Sequence, residues 1–169
     1  MIVCPYSTIK KPPNTSIHAH YSRPIFQTNG FFVWISEPTA VFRAMQAVLK
    51  PGGVYVFYDV HPFQRPWADA VGTLVIEKPY ADGGPYVEAE DGAHEYHWTL
   101  SSLVNATSSA GLVLQHLGES VPKSPRFWQD GSYERSSADG LLDWRQIPRA
   151  GLPAWLTVAV QKPARNAAA

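Results

Sequence analysis

One cysteine, Cys4, is all that this chain of 169 residues carries, so neither an internal disulfide nor a thiolate zinc cluster can form. A single thiol suits a reducing compartment, and we expect a cytoplasmic protein. No excess of one charge is present either: 14 basic residues balance 14 acidic ones. Nucleic-acid binders carry a basic stripe that releases counterions from the phosphates, so no nucleic-acid partner is expected. Long apolar runs are missing as well. Segments 31–35 and 112–114 fall far short of the ~20 residues needed to cross a bilayer, and no membrane partner is expected. The first residues, MIVCPYSTIKKPP, lack the basic start and apolar core of a secretory signal. Residues 1–24 contain no glycine at all.

Aromatic residues and proline are plentiful. Six Trp, eight Tyr, seven Phe and 15 Pro, many outside periodic segments, suggest structured loops over a pocket. With 45% hydrophobic and 17% charged residues the chain has the composition of a folded domain.

Residues 1–24 carry Pro5, Pro12, Pro13 and Pro24 without periodicity and read as an irregular arm. A short strand is expected at 25–28, closed by Asn29-Gly30, a turn signal. Residues 31–35 fit a buried strand or a helical turn. A helix then starts with Ser36 as N-cap and Pro38 in its first turn; Val41, Phe42, Met45, Val48 and Leu49 form its apolar stripe. Lys50 suits the negative helix end, Pro51 stops the helix, and Gly52-Gly53 permit the turn into a strand at 54–60. Residues 62–98 hold two hairpin pieces, KPYADGGPY and EDGAHEYHW. A second helix follows Thr99 as N-cap, with Leu100, Leu103, Val104 and Thr107 on one side, and Gly111 ends it. Strands are expected at 112–117 and 155–160, and a frayed tail over 164–169. Alternating strands and helices define an α/β fold, parallel over most of the sheet, with an antiparallel final strand.

The stretch NGFFVWISEPTAVFRAMQAVLKPGGVYVFYDVHPF, followed by YHWTLSSLVNATSSAGLVLQHLGE and WLTVAVQK, resembles the C-terminal half of a class I S-adenosylmethionine-dependent methyltransferase. In that family a helix ending in L-(K/R)-P-G-G joins the fourth strand to the fifth, and the last strand is antiparallel. The resemblance spans residues 25–162 and implies a partial Rossmann-like sheet, with a partial methyltransferase domain over 25–163. It makes 31–35 the loop or helical turn after the fourth strand. The family's first strand, with its Gly-rich turn, and the acidic residue ending its second strand find no counterpart here. The chain therefore reads as a methyltransferase lacking its first three strands. The resemblance implies S-adenosylmethionine as cofactor, but the chain on its own is expected to bind S-adenosylhomocysteine weakly or not at all, and to be weak or inactive alone. The missing neighbour would leave the edge at 25–28 open, so self-association or reduced stability is expected unless the arm covers it.

Ligands of open α/β sheets bind at the carboxyl ends of the strands. There the resemblance implies Asn29, Gly30 and Phe31 beside the cofactor, although Asn29-Gly30 can be a plain turn. Asp59, His61, Tyr96 and His97 can serve as a base for a small-molecule methyl acceptor; equally, Asp59 and His61 can hydrogen-bond loop backbone and Tyr96 can pack. A metal could be sought at His18 and His20, or at His94, Glu95 and His97, but HEYH is not the H-E-x-x-H spacing, and none is expected. Phe127, Trp128 and Trp144 fit either a substrate lid or loop anchors. The other reading is a non-catalytic, self-associating remnant or partner subunit of the same fold.

Overall fold

The computed structural model describes residues 24–28, 30–67, 74–87, 92–124 and 142–164. The expectations for the N-terminal arm, His18, His20, Asn29, Phe127, Trp128 and most of the tail lie outside these residues.

Strand β1 (Ile25–Thr28) runs parallel to β2 (Val54–Val60), with Ile25 opposite Tyr55 and Thr28 opposite Tyr58. Between them lie a 3-10 turn (Phe32–Trp34) and helix α1 (Pro38–Val48). The helical-turn alternative for 31–35 is thus the one adopted. A small hairpin pairs β3 (Tyr86–Val87) with β4 (His94–Glu95). Helix α2 (Leu100–Ser109), β5 (Val113–Ser120) and β6 (Trp155–Gln161) complete the fold. The four-stranded sheet has the order β1-β2-β6-β5. Strand β6 is antiparallel to both β2 and β5, so β1, β2 and β5 share one direction and β6 opposes them. Because β6 is inserted between two of the co-directional strands, only β1–β2 is a parallel ladder. The final strand is antiparallel, as expected.

Alternation along β2 and β6 sets the core. Tyr55, Phe57 and Asp59 are buried and stand opposite Val160, Val158 and Leu156, all buried too. Both helices cover this face: Phe42 and Leu49 from the first, Leu103 and Ala106 from the second, join the same cluster. Phe32 is wedged against Phe42 and Phe57, with ring centroids 5.3 and 5.0 Å away.

Several helix boundaries differ from expectation. Glu37, not Ser36, caps α1, accepting the Thr39 amide at 3.0 Å. Val48 falls off the apolar stripe and is 65% exposed, while Leu49, just past the helix end, is buried. The cation at the end of α1 is Lys162, from beyond β6: its Nζ donates to the Leu49 carbonyl at 2.9 Å. Lys162 also exchanges backbone hydrogen bonds with Gly52 and Gly53, at 2.8 and 2.9 Å. Thr99 caps α2 through the Ser102 amide, as its position implies. Past α2, Gly111 takes φ of 77° and donates to Ser108 while Leu112 donates to Thr107, closing a Schellman motif. The following strand starts at Val113 and runs to Ser120, three residues past the expected end.

Candidate functional site

At the carboxyl ends of β1 and β2 the sheet opens into a small, solvent-open cleft. Asp59 and Val60 form its floor, Phe32 and Val33 one side, and Pro62 and Arg65 another; Tyr96, Trp98 and Leu103 close it. A narrower crevice adjoins it, lined by Arg65, Pro66, Lys78, Tyr80 and His97 among others.

Asp59 is 3% exposed and fully engaged. One carboxylate oxygen accepts the amides of Gly30 (2.8 Å) and Val60 (2.7 Å), and the other accepts that of Phe32 (3.3 Å). It thereby ties the loop after β1 to the end of β2. Gly30 adopts φ of 78°, a conformation costly for any side chain with a Cβ. Phe31 packs edge-on against Phe32, with centroids 5.4 Å apart.

His61 is fully buried. Its Nδ1 accepts the Phe63 amide at 3.1 Å, so the proton sits on Nε2, which donates to Glu119 Oε1 at 2.7 Å. Burial pushes the imidazole pKa below its ordinary value, and Glu119 only partly opposes this. At neutral pH the ring is neutral, with both nitrogens occupied.

Tyr96 is held by its backbone, whose amide donates to the Val33 carbonyl at 2.7 Å, while its ring lies nearly parallel to Trp98 (8°) at 6.1 Å. The Trp98 indole N–H donates to the Ile35 carbonyl at 2.8 Å. These bonds fix an aromatic wall to the loop after β1. His97 sits beside Tyr86, with ring centroids 4.6 Å apart, and its Nε2 meets Glu95 Oε2 at 3.2 Å. Burial lowers its pKa, Glu95 opposes, and the nearby Arg65 and Lys78 reinforce the lowering.

The structure therefore brings Asp59, Tyr96 and the loop bearing Gly30 and Phe31 to one cleft, and sets His97 in the neighbouring crevice. His61 is buried behind the Pro62–Gln64 turn that it caps. Arg65, Trp98 and Glu119 escaped the sequence reading. Arg65 offered one signal, a cation six residues past the carboxylate at a strand end; Glu119 offered none, because its partner is 58 residues away. Among the described residues no three His, Cys, Asp or Glu side chains gather to hold a metal ion. No helix among them is long and apolar enough to cross a membrane. Trp144 is exposed, and the Arg145 guanidinium lies 5.0 Å from its ring.

Strand order, the placement of both helices and a cleft at the parallel pair are features of the class I methyltransferase fold, and solved structures bear this out. The chain is similar to an S-adenosylmethionine-dependent methyltransferase from Mesorhizobium loti (TM-score 0.58, 21% identity), with 82% of this chain covering 60% of that one. A protein of Listeria monocytogenes assigned to the same class matches at a TM-score of 0.55 and 15% identity, with the same coverage. The chain thus spans about 60% of the length of these neighbours. No protein-family model and no curated protein sequence matches it.

The residues present fit S-adenosylmethionine only in part. The Gly30 and Phe32 amides, which could have faced a ligand, are spent on Asp59. The cleft itself is lined by Phe32 and Val33 from this loop, and not by Gly30 or Phe31.

Proposed function

We propose that this chain is the acceptor-side half of an S-adenosylmethionine-dependent methyltransferase acting on a small molecule, and is weak or inactive alone. The observation that carries this reading is the cleft at the β1 and β2 ends, built on a sheet of methyltransferase order. Methyl transfer mainly requires alignment of donor and acceptor with water excluded. The rigid Tyr96–Trp98 wall supplies such alignment. In this reading Asn29, Gly30 and Phe31 border the methionine end of the cofactor. Tyr96 and His97 face the acceptor, while Asp59 and His61 hold the surrounding loops in place. The single thiol fits the cytoplasm. Titrating isotope-labelled protein with S-adenosylhomocysteine tests the reading: the Gly30 and Phe31 amides should shift, with a dissociation constant on the order of 1 mM. No shift at any accessible concentration would remove the assignment of Gly30 and Phe31 to the cofactor's border and favour the non-catalytic reading below, and nanomolar affinity would remove the claim that this half binds weakly.

A second reading, a self-associating non-catalytic subunit, is favoured by one observation. Strand β1 pairs only with β2 among the described residues and so presents a sheet edge, flanked by the exposed Phe26 and Trp34.

A further inference from the structure

The cleft is small, and admitting a ligand requires one of its walls to move. Most of those walls are tied down. Asp59 locks the loop that carries Phe32 and Val33, and the Tyr96 amide and Trp98 indole are bonded to the same loop. The wall made by Pro62 and Arg65 differs, because it rests on a single 3-10 turn (Pro62–Gln64) capped by a titratable group.

That cap is His61, whose Nδ1 accepts the Phe63 amide at 3.1 Å while Nε2 donates to Glu119 at 2.7 Å. A proton on Nδ1 sets a donor against the amide donor, and the cap fails. The other nitrogen gains from the same event, since imidazolium and carboxylate form a charge-assisted pair. The ring therefore stays with Glu119, and the turn is what moves. Phe63 is 42% exposed, so its solvent side is open to that movement. Its ring stacks on Tyr80 at 5.0 Å, and the Tyr80 hydroxyl accepts the Leu100 amide at 2.9 Å, which connects the turn to the start of α2. The turn's other tethers do not titrate between neutral and mildly acidic pH: Gln64 Nε2 donates to the Pro153 carbonyl at 2.9 Å, and Arg149 donates to the Gln64 side chain at 3.2 Å. Gln64 is thus the pivot about which Pro62 and Phe63 swing. Of the charged groups on the surrounding elements, Glu119 on β5 is the one bonded to the ring. Asp59, on the same strand as His61, is taken by three amides, Arg65 lines the cleft, and Arg149 is directed at Gln64.

We propose that the Pro62–Arg65 segment is a gate on the cleft, held shut by the neutral His61 ring and released when Nδ1 takes up a proton. Burial disfavours the charged ring and Glu119 partly opposes this, so release comes below pH 6.5. In the open gate the ring is better hydrated and takes the proton more readily, so acid favours the open form. Such a gate acts whatever ligand the cleft takes.

The test is a pH series on the full chain without ligand, from pH 7.5 to roughly pH 5, reading the His61 ring resonances and amide hydrogen-exchange protection. Phe63 should lose at least about tenfold in protection as His61 takes up its proton, while Phe57 and Val158 in the sheet keep theirs. The Arg65 amide, across the moving wall, should shift in step. His61→Asn puts a side-chain oxygen in the capping position that does not titrate, so its Phe63 protection should stay flat. Glu119→Gln, at a position 43% exposed, removes the charge that favours the protonated ring and should move the Phe63 transition to lower pH. That second variant decides the matter if His61→Asn does not fold. Phe63 protection that ignores the His61 titration, or that falls alike in His61→Asn, would overturn the proposal. So would an unmoved transition in Glu119→Gln, or loss of protection at Phe57 together with Phe63, which is general unfolding and not a gate.

Discussion

His61 shows how a residue at the ligand end of a sheet can be spent on architecture. Its ring accepts from Phe63, donates to Glu119 and lies 5.8 Å from the Phe63 ring in a stacked arrangement. Burial depresses its folded pKa below the ordinary 6.5. The unfolded chain therefore takes up a proton at a pH where the folded chain does not, and protons favour unfolding. Stability contributed by the neutral ring is complete above pH 6.5 and is lost as pH falls toward the folded value; His97, depressed in the same direction, adds to this. Thermal melts between pH 7.5 and roughly pH 5 should show a falling midpoint, with a shallower slope in His61→Gln. An unchanged slope in that variant would mean the titration belongs elsewhere. The sequence placed His61 and Asp59 at the strand end correctly, because strand length and the Pro62 turn are local signals. Their commitments were hidden, since Glu119 and Gly30 reach them from other parts of the chain.

At the scale of elements, the Lys-Pro-Gly-Gly joint between α1 and β2 uses its two glycines for different reasons. Gly52 adopts φ of 77° with open space around it, so Gly52→Ala should cost about 1–2 kcal/mol in conformational strain. Gly53 has an ordinary φ, but a Cβ there would lie 2.8 Å from the Lys50 carbonyl oxygen. Backbone cannot yield cheaply, and Gly53→Ala should cost about 1–3 kcal/mol. Denaturant titrations of both variants check these values; a neutral Gly53→Ala would show that the joint can open without penalty. The joint itself was legible from Leu49 to Val54, as was the end of α2 at Gly111, because helix stops are written in adjacent residues. What could not be read was the cation that caps α1. Lys50 had the right place in the sequence, but Lys162 holds the carbonyl, since only the sheet brings it there.

At the scale of the whole molecule, the β1 edge has a measurable consequence. Phe26 is 56% exposed on a strand that pairs on one side only among the described residues, and edges of this kind recruit strands from other chains. Light scattering across a concentration series should show reversible association, and Phe26→Lys should shift it toward monomer. A monomer at every concentration for the unaltered chain would count against edge pairing. Strand types and their order along the chain followed from periodicity and turn residues. The spatial order β1-β2-β6-β5 did not, because hydrogen bonding between strands leaves no local trace in sequence.

That order also sets a schedule for folding. Strand β6, the last to be synthesised of the four, is the one that joins β2 to β5. Until residues 155–161 have been made, the nascent chain holds a two-strand parallel pair and a lone β5 with no shared ladder. A polypeptide interrupted between Ser120 and Trp155 would have no ladder joining β2 to β5 and would rest on the packing of α1 against α2, a ready substrate for chaperones and proteases.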